Sequence, residues 1–410
     1  MRKHRGFMNF DYLHQLITPA ETKIMMLVLD GLGGLPRVPG GRTELETART
    51  PNLDALAKRS ALGLTVPIGP GITVESGPGH LALFGFDPLQ YRVGRGVLEA
   101  LGIEFDLQPS DVAVRGNYAT VDANGVVTDR RAGRIQNEIS KELSKLLTTK
   151  ILDVEVFVET VREHRLAIVL RGPGLSAEVS ETDPLKNGYS PSPVRALKPE
   201  GEKTARVVSL FLDQARQVIE THKATSSANM ILLRGFDRYP DFPQFPQVFG
   251  LRAAAIAVYP TYRGIAKLVG MQVLNTEGGT CADEFATLEK HWNDFDFFYL
   301  HIKQTDLAGE DGDFDRKVRI IEEVDSLMPR LMNLSPDVVI VCGDHSTPAA
   351  LKGHSWHPVP VLLYSPFVRA DDIPEFGERS CVQGSLGILP AKDVMTLALA
   401  NAQRLLKFSA

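Results

Sequence analysis

The densest chemistry in this chain lies at 344–357, where Asp344, His345, His354 and His357 fall between two apolar runs, 338–341 and 359–364. Carboxylates and neutral imidazoles are good ligands for divalent metals and are costly to bury unpaired. A turn with hydrogen-bonded histidines is the other reading. Asp30 closes a further apolar run, 24–29, and is followed by Gly31, Gly33 and Gly34. It is either a ligand at a strand end or an ordinary Asp-Gly turn. Ser76 sits among glycines and a proline in 71–80, just ahead of an apolar helical stretch at 81–84. A helix N-terminus favours anions, so a phosphate or a nucleophile fits there, although the local pattern by itself reads as a turn. There is neither a P-loop pattern nor a Gly-x-Ser-x-Gly elbow. Asp306, Glu310, Asp311 and Asp313 crowd one segment after His301 and Lys303. These carboxylates repel one another unless a cation lies among them, and their spacing is not that of an EF-hand. A plain acidic loop is the alternative.

Strands must position these residues. The runs 24–29, 295–300 and 338–341 are apolar, as strands buried on both faces are. In an open α/β sheet ligands bind at the carboxyl edge, where Asp30, Asp306 and Asp344 would emerge. Three strand ends on one edge can converge on a two-metal cluster that clamps both oxygens of an in-line displacement. Such a metal can also activate a serine hydroxyl. Thr50-Pro51 predicts a helix with Thr50 as N-cap. Strand–helix alternation over 24–100 and 230–410 predicts one parallel-sheet domain. From about 108 the texture changes to short valine-rich strands, a hairpin turn at 122–125 and a helical stripe over 204–221. The predicted organisation is an extension at 1–22, a discontinuous core at 23–108 and 227–410, and an inserted domain at 109–226. Arg130, Arg131, Arg134 and Arg171 lie in the insert, and Arg234 follows it. Arginine captures carboxylate and phosphate in a bidentate manner, though a solvated surface cluster is the usual fate of such runs.

At 410 residues the chain exceeds one ordinary domain, and an apolar fraction of 43% can fill two cores. A net charge of −5 with mixed signs gives no basis for a nucleic-acid partner. No apolar run reaches membrane-spanning length, so no membrane partner is expected. The first residues lack an apolar h-region and a small-residue cleavage site, which predicts an extension rather than a signal peptide. Cys281, Cys342 and Cys381 have no metal-type spacing. Free thiols and a reducing cytoplasm are expected.

Taken together, Asp30-Gly31, Thr50-Pro51-Asn52-Leu53-Asp54, Ser76, Asp306, Asp344-His345 and the stretch at 354–360 resemble the alkaline phosphatase superfamily. More closely, the chain is similar to the archaeal-type cofactor-independent phosphoglycerate mutases. The similarity runs over about 24–400 and includes stretches at 76–88, 94–100, 117–122 and 129–134. It implies an α/β, alkaline-phosphatase-like core with a central, mostly parallel sheet, interrupted by a smaller α+β substrate-binding or lid domain. It implies Ser76 as the phosphoryl-accepting nucleophile. Asp30, Ser76, Asp344 and His345 would hold one divalent metal, and Asp306, Glu310 and His354 the other. Mn2+ or Mg2+ is expected, with Zn2+ or Co2+ as alternatives. The implied reaction interconverts 3-phosphoglycerate and 2-phosphoglycerate, a small phosphorylated substrate, in cytoplasmic glycolysis. Arg130, Arg131, Arg134, Arg171, Arg234 and Lys303 are the implied substrate-binding residues.

Several positions depart from the pattern. Glu310 stands where the related long-chain mutases place His, and Glu75 precedes the serine where Gly is common. Ala177, Glu178 and Glu181 replace an Asp-rich form, and Val97 replaces Pro. These departures leave room for a metal-dependent phosphatase or phosphotransferase on another small phosphorylated substrate, or for an inactive binding paralogue.

Overall fold

The computed structural model describes residues 10–222 and 227–409. The chain divides into two units, Met1–Arg92 with Phe242–Ala410, and Val93–Asp241. The first unit is built on an eight-stranded sheet. Its strands run, edge to edge, Gln272–Leu274, Ala253–Ala257, Phe297–Ile302, Ile24–Leu29, Val338–Cys342, Val359–Tyr364, Ser60–Val66 and Gly387–Pro390. All neighbours are parallel except Val359–Tyr364, which is antiparallel to both of its partners.

Every residue of Ile24–Leu29, Phe297–Ile302 and Val338–Cys342 is buried. This is why they read as unbroken apolar runs rather than alternating ones. Helices Pro51–Ala57, Cys281–His291 and Phe314–Asn333 contribute Leu53, Leu56, Phe285, Leu288, Ile321, Val324 and Met328 to the same core. Register then does the positioning. Leu29 pairs with Ile302, and Val28 pairs with Cys342, so these three strands end level with one another. Asp30, Lys303 and Asp344 therefore leave the sheet at one edge.

The structure resolves two readings for this unit. Residues 1–9 of the predicted extension lie outside the described residues. Its remainder is built in: Phe10–Leu16 is helical with Leu13 buried, and the Thr18 N–H donates to the Arg404 carbonyl at 3.0 Å. The segment after Lys303, for which a plain acidic loop was the alternative reading, is the helix Gln304–Asp311, with Asp306 in its first turn. Helix geometry turns Asp306 inward and leaves Asp311 outside.

The second unit is an antiparallel sheet in the order Val127–Asp129, Val112–Val121, Arg165–Arg171, Val154–Arg162, Thr149–Ile151, with Met230–Arg238 also paired to Val112–Val121. Helix Glu202–Thr221 buries Val207, Val208, Phe211, Ala215 and Ile219 in this unit's own core. The unit begins and ends outside the predicted hinges near 108 and 226, for two reasons. Helix Arg95–Gly102 packs closely on Val112–Val121, where Gly96 leaves no room for a Cβ against Ala113 and Val114. The apolar run at 230–233, expected in the parallel sheet, pairs instead with Val112–Val121. No helix among the described residues is long and apolar enough to cross a membrane.

Candidate active site

At the shared strand edge of the first unit, Asp30, Asp344 and His345 come within ligand distance of one another, and so do Asp306, His345 and His354. Helix Ser76–Leu83 brings in Ser76 as its first residue, preceded by Glu75 as N-cap. Gly79 makes that approach possible, because a Cβ there would lie 2.5 Å from the Asp344 carbonyl oxygen. Ser76 Oγ is 3.1 Å from His345 Nε2. On the same helix, His80 is buried, and its Nδ1 lies 2.8 Å from the Ser76 carbonyl oxygen and 3.1 Å from Asp344 Oδ2.

Hydrogen bonding assigns the tautomers. The Thr347 hydroxyl donates to Asp306 Oδ1 at 2.6 Å, so it accepts from His345 Nδ1 at 3.0 Å. His345 Nε2 is then an acceptor, with the Ser76 hydroxyl placed to donate to it at 3.1 Å and with Asp344 Oδ2 and Asp30 Oδ1 only 3.2 and 3.5 Å away. Both of those oxygens are buried and lack a well-directed hydrogen bond; the donor nearest Asp344 Oδ2, His80 Nδ1 at 3.1 Å, is shared with the closer Ser76 carbonyl at 2.8 Å. Three converging lone pairs in a buried site repel one another, and a divalent cation is the partner that satisfies all of them. The other imidazole follows the same logic. His354 Nδ1 donates to the Val74 carbonyl at 2.9 Å, which turns the Nε2 lone pair toward Asp306 Oδ1 at 3.5 Å and Glu310 Oε1 at 4.0 Å. The two imidazole rings stack with centroids 3.7 Å apart. The residues present therefore fit divalent cations.

Electrostatics agree. Burial alone would raise the Asp30 pKa, but Lys303, His301 and His345 outweigh it and hold the carboxylate well below its usual range. Asp344 is also held low: burial and Asp30 push it up, and His345 and His80 more than compensate. Burial carries His301 down to about 4, so it is neutral and donates from Nε2 to Asp30 Oδ2 at 2.9 Å.

Lys303, expected to bind substrate, is built into this network. Its Nζ lies 2.6 Å from Asp306 Oδ2, 3.3 Å from Asp30 Oδ2 and 2.6 Å from the Tyr262 hydroxyl. Tyr262 in turn donates to Ser76 Oγ at 3.2 Å and stacks on His301. Tyr262, His80 and Thr347 escaped the sequence reading as site residues. Tyr262 stands at the start of helix Pro260–Leu268 with no local motif to mark it. His80 could have been found, since it lies one helical turn beyond Ser76.

The predicted arginines of the second unit separate into two kinds. Arg130 is closed bidentately on Asp183, at 2.9 and 2.6 Å, and Arg171 on Asp111, at 3.0 and 2.7 Å. Both are occupied by carboxylates of their own unit. Arg131 and Arg134 are exposed, and Arg234 lies 4.0 Å from Glu181. A further pair was missed. Arg115 Nε and Arg165 Nη1 lie 3.5 and 3.7 Å from the buried Glu99 carboxylate, and the Nε of each is buried without a hydrogen-bond partner. Beside them, burial together with Arg165, Arg115, Arg131 and Arg134 drives His164 down to about 3. The available signal was Arg115 itself, a charge inside the otherwise apolar start of Val112–Val121.

Three acidic departures from the family pattern have neighbours. Glu178 pairs with Lys198 at 2.9 Å, and Glu181 accepts the Gly235 N–H at 2.8 Å. Glu75 has its carboxylate 3.9 Å from His354 Nδ1.

Solved structures establish the class first. A Pyrococcus horikoshii protein superposes with a TM-score of 0.82 at 30% identity, over 95% of this chain and 99% of that one. The cofactor-independent phosphoglycerate mutase of Thermoplasma acidophilum superposes with a TM-score of 0.65 at 30% identity, over 93% and 99%. The chain thus shares the α/β fold of these two proteins. A family model described as 2,3-bisphosphoglycerate-independent phosphoglycerate mutase matches residues 57–225. A Thermotoga sp. (strain RQ2) protein named as a probable enzyme of that kind is 50% identical over 403 residues, 98% of this chain and 99% of its own length. An Aquifex aeolicus protein of the same name is 49% identical over 98% of this chain and all of its own. The chain belongs to the 2,3-bisphosphoglycerate-independent phosphoglycerate mutases.

Proposed function

We propose that this chain interconverts 3-phosphoglycerate and 2-phosphoglycerate through a phosphoserine at Ser76, without 2,3-bisphosphoglycerate. The observation that carries the reading is the convergence of the His345 Nε2 lone pair and two orphaned carboxylate oxygens, Asp30 Oδ1 and Asp344 Oδ2, on the side of Ser76 Oγ. Divalent cations at Asp30, Asp344 and His345, and at Asp306, Glu310 and His354, would lower the pKa of the Ser76 hydroxyl and offset phosphoryl charge; Mn2+ and Mg2+ suit this oxygen-rich donor set.

The chain's own residues do the rest. Tyr262, itself gripped by Lys303, orients Ser76 Oγ by donating to it. Ser76 Oγ forms a bond to phosphorus as the bond to the glycerate oxygen breaks. The proton lost by Ser76 is balanced by one gained on the departing alkoxide. Return to the other hydroxyl reverses these bond changes. In the second unit, Arg115, Arg131, Arg134, Arg165 and Arg234 are the candidates for the substrate's anionic groups, and neutral His164 leaves their charge undivided. Arg130 and Arg171 serve as pins of that unit rather than as ligands.

The test is an enolase-coupled assay on purified protein with 3-phosphoglycerate and Mn2+ or Mg2+, with no bisphosphoglycerate added. Turnover is expected. None with any divalent metal would remove the reading, and inorganic phosphate released faster than isomerisation would replace it with a phosphatase.

A further inference from the structure

Lys317 is the one residue of the Phe314–Asn333 helix that sends a charge into the site's foundation. It is fully buried, and its Nζ donates to three backbone carbonyls, Gly31 at 2.8 Å, Gly33 at 3.1 Å and Thr347 at 2.9 Å. Gly31 directly follows Asp30 and Gly33 lies two residues further on, while Thr347 is two residues past His345. The same two glycine carbonyls also accept the Thr347 N–H, at 3.2 and 3.1 Å, so Lys317 sits where the two loops cross. Thr347 then passes the position on, since its hydroxyl bonds both Asp306 and His345. Nothing in this crossing tolerates slack. A Cβ on Gly31 would run into the Thr347 side chain and Asp306, and one on Gly33 into Ser346.

Glu44 balances the charge and closes the other side of the loops. It is fully buried and accepts the Leu35 N–H at 3.0 Å and the Ala349 N–H at 2.8 Å. Burying an ammonium against neutral carbonyls costs desolvation that an apolar side chain of the same length would avoid. A core that needed only filling would not retain it.

We infer that Lys317 is a positioning residue for the metal-ligand set: its ammonium draws the carbonyls of Gly31, Gly33 and Thr347 together and thereby sets the spacing of Asp30 from Asp344 and His345. The inference uses the mutase reading only for what the cations are for, so its test reads cation binding directly. Full-length wild type and Lys317→Met, stripped of metal, are titrated with Mn2+ while free and bound ion are followed by electron paramagnetic resonance. Thermal unfolding is recorded without metal. The expected result is a cooperative melt for both, a Mn2+ dissociation constant raised about tenfold or more in the variant, and a changed bound-Mn2+ spectrum. In Lys317→Ala, which leaves a cavity and three open carbonyls, added ethylammonium should restore part of the affinity, which a residue acting by packing alone would not allow. A folded Lys317→Met binding Mn2+ within twofold of wild type overturns the inference. So does a loss of fold in both variants that ethylammonium does not reverse. Wild type that binds Mn2+ but turns over no phosphoglycerate would sink the mutase reading and leave the Lys317 result standing.

Discussion

Ser76 and Tyr262 form a two-residue unit in which one hydroxyl is the nucleophile and the other holds it. Ser76→Ala should abolish turnover by several orders of magnitude, because covalent catalysis leaves no substitute nucleophile. Its melting temperature should stay near that of wild type, since one partly buried hydroxyl is removed. Comparable activity in that variant, measured in the enolase-coupled assay, would refute the phosphoserine route. Tyr262→Phe removes the donor to Ser76 Oγ and the acceptor for Lys303 while keeping the ring on His301. The expected loss in kcat is about tenfold to a hundredfold, with KM changed far less. An unchanged kcat would show that the hydroxyl does not hold the nucleophile.

Among the elements, helix Cys281–His291 carries a cost on its inner face. Glu284 is buried there, and its Oε2 has no hydrogen-bond partner. Burial first, with help from Asp283 and Glu323, pushes its pKa up to about 9. In the unfolded chain the same carboxyl titrates near 4.5. Between those values the folded state holds a proton that the unfolded state has released, so stability falls as pH rises. The contribution is intact below about pH 4.5 and is lost as pH climbs through about 9. Glu284→Gln cannot ionise, so thermal melts across that window should show a flatter pH dependence and a higher melting temperature at pH 9 than wild type. Parallel curves for the two proteins would contradict the assignment. Helix Pro51–Ala57 shows a local signal that sets a position but not its bond. Thr50 is the N-cap and Pro51 the first helical residue, as expected, but the Thr50 side chain makes no capping bond, and the carboxylate of the distant Asp325 takes the Asn52 and Leu53 N–H groups instead. Chain contacts made 273 residues away are not written in a four-residue motif.

For the whole molecule, the second unit has a continuous sequence, an antiparallel sheet and a core of its own. A fragment of residues 93–241 should therefore fold when expressed alone, with far-UV circular dichroism of mixed helix and strand and a cooperative thermal transition. A fragment starting at 109 and ending at 226 should not. It lacks helix Arg95–Gly102 and the Met230–Arg238 strand, both of which pack on Val112–Val121. Equal stability of the two fragments would show that the boundary is wrong. The first unit, made of two chain segments, has no such simple test.

Composition and pattern were enough to place the apolar strands and to see carboxylates and histidines at their ends. Period and burial are local properties of a sequence, and each of these features is local. Tertiary structure decided which lone pairs remain open, because a tautomer depends on what the other ring nitrogen meets: Thr347 for His345, the Val74 carbonyl for His354. It decided that Arg130 and Arg171 are already paired while Arg115 and Arg165 keep unpartnered donors. It decided the sheet to which the 230–233 run belongs, since an apolar strand fits either. Pairing, unlike propensity, is a relation between distant residues, and only the folded chain supplies the second member of each pair.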